Sequence, residues 1–114
     1  MDSEPIYVYS RKQALADGYQ VKLEAEYAQM AREAGWRVSV YLTHSVYSLI
    51  GQNKGILWDI LCLAYFKARS NRDSESISFT ASIAGASHQL LAKIGATDID
   101  DPAPALTIMI AGED

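Results

Sequence analysis

At 114 residues, net charge −4, 49% hydrophobic and 21% charged, the chain has the size and composition of one packed globular domain. That composition excludes a disordered chain. The acidic balance argues against a nonspecific nucleic-acid binder, whose affinity comes mainly from basic groups meeting phosphates. The longest apolar run, Ile60–Phe66, is too short to cross a bilayer, and the polar start Met1-Asp2-Ser3-Glu4-Pro5 does not read as a signal peptide. A single cysteine, Cys62, cannot close an internal disulfide; in its apolar run it reads as a buried thiol in a reducing, cytoplasmic setting.

In chain order, β-branched and aromatic residues at Pro5-Ile6-Tyr7-Val8-Tyr9 predict a short first strand. Ser10-Arg11-Lys12-Gln13 is a capping box: the Ser10 hydroxyl can accept from the Gln13 N–H while the Gln13 side chain reaches back to Ser10 N–H. A short helix through Asp17 follows, closed by Gly18. Tyr19, Val21 and Leu23 alternate with polar residues and predict a brief extended piece. Ala25 to Ala34 is rich in helix formers, and Gly35 ends it. Trp36, Val38, Val40 and Leu42 alternate along Trp36–Thr43, of which the second half at least reads as a strand. Thr43 caps a helix over 44–50, stopped by Gly51.

The main helix is predicted over about 54–69 from an N-cap at Asn53, with Ile56, Leu57, Ile60, Leu61, Leu63, Ala64 and Ala68 as its apolar face. Lys67 and Arg69 suit the negative pole of its dipole. Ser70–Glu75 is a polar loop, the best site for proteolysis. Beyond it the hydrophobic period changes from 3.6 to 2: Ile77, Phe79, Ala81 and Ile83 alternate with Ser76, Ser78, Thr80 and Ser82. Gly85-Ala86-Ser87 signals a turn. Residues 88–96 read as a strand in preference to a short helix, and Leu106, Ile108 and Ile110 mark a last strand approached through a stiff Pro102-Ala103-Pro104-Ala105 segment. Together these predict a single α+β domain over 1–114, two layers, with a C-terminal antiparallel meander packed against helices.

No motif for catalysis or metal binding stands in the chain. His44 and His88 lack companions at zinc-ligand spacing. Cys62 lies in the most apolar helix, where burial blunts a thiol. Asp98, Asp100 and Asp101 imitate a calcium loop without its central glycine and distal glutamate, and no apolar pocket is implied that would split their pKa values for acid–base work. Hence no catalytic, metal or cofactor residue is expected. Tyr9, Tyr41, Tyr47 and Tyr65 could serve an interface, although a partly buried core role suits each of them better. Charge, by contrast, is unevenly placed. Ser70–Asp114 holds two basic and seven acidic residues, Met1–Arg69 eight and seven. The carboxylates Asp98, Asp100, Asp101, Glu113 and Asp114 flank the last strand and are the candidate partner-binding residues.

The segments Tyr9–Gly18 (YSRKQALADG), Ala31–Gly35 (AREAG), Leu42-Thr43, Leu57–Leu61 (LWDIL) and Leu106–Asp114 (LTIMIAGED) resemble, in that order, a functionally uncharacterised family of small bacterial domains carried on plasmids and phages. The resemblance implies a mobile-element origin and carries over no catalytic residue. With the charge asymmetry it leads to the expectation of a non-enzymatic protein-binding module, most concretely an anti-CRISPR-like inhibitor. Its acidic patch would occlude a basic nucleic-acid-binding surface, for instance on a CRISPR effector subunit. Two alternatives differ in class: an accessory plasmid or phage protein touching DNA through Arg11, Lys12, Arg69 and Arg72, and a small enzyme whose site the sequence hides. Membrane association is not expected. Homodimerisation through an exposed last strand is left open.

Overall fold

The computed structural model describes residues 9–113, so all but Tyr9 of the strand expected at 5–9, and the carboxylate of Asp114, lie outside the described residues; Tyr9 itself is not in a strand. The chain forms α1 (Arg11–Ala16), β1 (Gln20–Lys22), α2 (Ala25–Ala34), β2 (Ser39–Thr43), α3 (His44–Ile50), α4 (Lys54–Ser70), β3 (Ser76–Ile83), β4 (Ala86–Asp98) and β5 (Asp101–Ile110). The α+β reading, the C-terminal meander and the main helix all stand. The five strands make one sheet in the order β1-β2-β5-β4-β3, antiparallel except for the parallel pair β2–β5.

Local chemistry sets the helix ends. Ser10 and Gln13 form the reciprocal capping box, Thr43 accepts from Val46 N–H, and Asn53 accepts from Ile56 N–H. Gly35 closes α2 in the left-handed region at φ 118°, and a Cβ there would lie 2.6 Å from the Tyr65 ring. That close approach lets Tyr65 meet Trp36 edge-on at 5.4 Å between ring centres, while Trp36 Nε1 donates to the Leu61 carbonyl at 3.1 Å. One small residue therefore seals α2 against α4.

The core lies on one face of the sheet. Val40, Leu42, Leu90, Ala92, Leu106, Ile108 and the odd residues of β3 pack against Ala31 of α2, Val46 and Ile50 of α3, and Leu57, Ile60, Leu61 and Ala64 of α4. The other face carries α1. There the Arg11 guanidinium stacks 3.9 Å over the ring of buried Tyr41, which alternates with Val40 and Leu42 along β2.

Four expectations need correction. The β3–β4 turn is Ala84-Gly85, not Gly85-Ala86-Ser87: Ile83 pairs with Ala86, and both loop residues have positive φ, the pattern of a two-residue type I′ hairpin. β5 begins at Asp101, so the two prolines belong to the strand. The β4 residues that bond β5 are the odd ones, as shown by Ala111 N–H donating to Gln89 O. Pro104, opposite Ala96, thus turns its nitrogen toward the side where β2 has not yet begun, and no ladder bond is lost. Leu63 is not core but 40% exposed, and Cys62 is partly exposed. Finally, β5 lies between β2 and β4, so the last strand is not an edge available to a second copy.

Candidate interaction site

Asp98 sits at the end of β4, where one carboxylate oxygen accepts from Arg11 N–H (3.0 Å) and the other from Lys12 N–H (2.9 Å). It thus ties the first turn of α1 to the sheet. A further bond from Ile99 N–H, then those from Lys12 and Arg11 and the Arg11 charge, hold its carboxyl below the ordinary carboxylate range. Arg11 completes the clasp: Nε donates to the Thr97 carbonyl and Nη1 to Gln20 Oε1. Asp101 accepts from Ala103 N–H at the start of β5, while Asp100 is exposed in the turn before it. Glu113 lies beyond the far end of β5, accepting from Ile110 N–H (2.7 Å) and Thr43 Oγ1 (3.1 Å). Ten residues of strand separate the two groups, about 30 Å. The carboxylates expected to act as one patch therefore fall at opposite ends of the sheet, and three of the four described ones accept hydrogen bonds within the chain.

The DNA-contact set is divided as well. Arg11 is half-buried and engaged with Thr97, Gln20 and Tyr41, and Arg69 lies 5.9 Å from the Tyr65 ring centre. Among the described residues one pair of catalytic residue types meets. His44 Nε2 meets Ser48 Oγ at 3.2 Å on exposed α3, a Ser–His contact one turn apart that the sequence reading did not single out; among the described residues no hydrogen bond to a carboxylate orients that ring. Burial, with Asp59 adding to it, pushes the Cys62 thiol pKa up and away from nucleophile chemistry. No group of three His, Cys, Asp or Glu among the described residues could hold a metal ion, and no helix is long and apolar enough to cross a membrane. A hollow of about 240 Å³ between β1, α2, α3 and the start of α4 has Val21, Leu23, Tyr27, Leu42, Ile50 and Leu57 in its apolar lining, and Lys54 in its wall is already paired to Glu26 at 2.7 Å.

A different surface stands out on geometry. Just before β3, Glu75 O accepts from Ile94 N–H, which fixes the parity of the ladder: residues 77, 79, 81 and 83 bond β4, and Ser76, Ser78, Thr80 and Ser82 turn their N–H and C=O groups outward. Among the described residues no backbone group meets them. This edge is eight residues long and carries no charge, proline or bulge, the devices that usually keep an edge strand from pairing. Beside it runs a bare apolar flank of α4. Phe66 is 70% exposed and Leu63 40%, and with Asp59, Cys62, Ala81 and Ser82 they frame an open hollow between helix and edge strand. The sequence did contain a signal for this: the run Ile60–Phe66 is apolar over more than one helix face, so packing one face on a sheet leaves another uncovered.

No family model, curated protein or solved structure matches the chain.

Proposed function

We propose that the chain is a non-enzymatic protein-binding module that docks through the outer edge of β3 and the adjoining flank of α4. The observation that carries this reading is an eight-residue strand edge, unguarded among the described residues, next to an exposed phenylalanine and leucine. An extended segment added to such an edge gains main-chain hydrogen bonds, and an adjoining apolar hollow supplies affinity and selectivity. The test is capture by the immobilised full chain. Thr80→Lys and Phe66→Glu should each abolish retention of a bound protein, whereas Asp100→Lys with Asp101→Lys should leave it intact; the opposite pattern refutes this surface.

A second reading keeps the charge argument. It rests on the net acidity of Ser70–Asp114 and on Asp100, exposed at the tip of the β4–β5 hairpin beside Ile99, which is 72% exposed. In this form the module, of mobile-element origin, would be an anti-CRISPR-like inhibitor whose hairpin tip occludes a basic nucleic-acid-binding surface. The charge-reversal pair above is the variant that should abolish binding on that reading.

A further inference from the structure

We propose that the occupant of the β3 edge is the β3 edge of a second copy of this chain, joined about a two-fold axis into one continuous ten-stranded sheet. The inference rests on the surface reading above and names its partner.

Three observations point to a second copy. The first is register. The outward groups belong to residues 76, 78, 80 and 82, so an antiparallel pairing that sets Ser78 opposite Thr80 of the second copy also sets Ser76 opposite its Ser82. Every outward N–H and C=O then finds a partner, and Phe79 falls on the two-fold axis opposite Phe79 of the second copy. On the wet face the hydroxyls of Ser78 and Thr80 come side by side, a favourable cross-strand pair. The second observation is charge. Residues 76–83 carry none, and Asp73 and Glu75 precede the strand, so in this register the acidic ends of the two copies lie at opposite ends of the seam, facing the neutral Ala84-Gly85 turn. Two identical acidic proteins can thus meet here without like-charge opposition. The third is the helix flank. A two-fold axis perpendicular to the sheet leaves both α4 helices on the same side, so each bare flank of Cys62, Leu63 and Phe66 turns toward its counterpart. The opposite edge of the sheet, β1, is three residues long and presents Gln20 and Lys22 outward, so pairing stops at two copies instead of growing into a fibre.

The test is sedimentation of the full chain over a dilution series reaching about 100 µM, well above the micromolar dissociation constants of weak associations. Twice the 12.5 kDa chain mass is expected. Ser78→Pro should convert the protein to a monomer with an unchanged far-ultraviolet circular dichroism spectrum, because the N–H it removes points away from β4. Thr80→Lys, which leaves the backbone intact, should do the same. In a Cys62→Ser background, spin labels at Ser82→Cys should lie about 20 Å apart, six residues of strand. A wild-type monomer at the highest concentration overturns the proposal, as does a dimer that both variants leave intact or labels separated by more than about 30 Å. If the wild type is monomeric yet Thr80→Lys abolishes capture of an unlike protein, the second copy is refuted and the docking surface is not.

Discussion

Helix α4 has two apolar flanks, and among the described residues only one is covered. On the covered side Leu57, Leu61 and Ala64 are buried, Tyr65 packs on Gly35 and Trp36, and the indole bonds the Leu61 carbonyl. On the other side Phe66 and Leu63 look out over a strand edge whose hydrogen-bonding groups are unmet among the described residues. The contrast extends to the strands. Where β5 runs out beyond β2, two prolines stand in the strand, and the β4–β5 tip is clasped to α1 by Asp98 and Arg11. Among the described residues nothing comparable guards β3. Apolar content alone does not distinguish the flanks of α4; a surface intended for solvent is protected, and this one is not.

Breaking the covered side should have the largest effect. Leu61 is fully buried, so Leu61→Asp loses about 1.5–3 kcal/mol of apolar burial and places a carboxylate in the core at a cost of several more. Against a total stability of about 5–15 kcal/mol the chain is expected to unfold, seen as loss of the native circular dichroism spectrum. Gly35→Ala should cost about 2 kcal/mol, from a strained positive φ and from forcing the Tyr65 ring away, read from denaturant midpoints followed by Trp36 fluorescence. A variant on the bare flank sharpens the contrast: Phe66→Ser should shift the stability of the single chain by no more than about 0.5 kcal/mol while removing association. The smallest effect concerns pH. Asp98 is held below its ordinary pKa by backbone N–H groups, so its stabilisation of α1 is fully present above the unfolded carboxylate pKa and fades as pH falls through the folded one. The protection of the Arg11 and Lys12 amides, taken against the free-chain exchange rate at each pH through that acid range, should fall before the protection of β4 does.

Much of the fold was legible because its signals are local. The Ser10 box, the Thr43 and Asn53 caps and the period-2 alternation of β3 each depend on residues within one or two turns of chain, and all appear where the pattern places them. The parallel pairing of β2 with β5 joins residues more than sixty positions apart, and no short-range pattern encodes it. That pairing moves the last strand from an edge to the middle of the sheet, leaving β3 as the long exposed edge. The same long-range step spreads the carboxylates: Asp98 and Glu113 lie close to one strand in sequence but at its two ends in space, each bound to a part of the chain (α1, Thr43) that composition cannot connect to it. The exposure of Phe66 was readable only as an excess of apolar residues on α4, because which flank stays bare depends on where the sheet ends.

The most direct test is amide hydrogen exchange along β3 at two protein concentrations. If the outer edge of β3 is the docking surface and a second copy its partner, the amides of Ser78 and Thr80 exchange slowly in concentrated protein and rapidly after dilution, while those of Phe79 and Ala81, bonded to β4, stay slow in both. Rapid exchange of Ser78 and Thr80 at both concentrations would contradict the pairing.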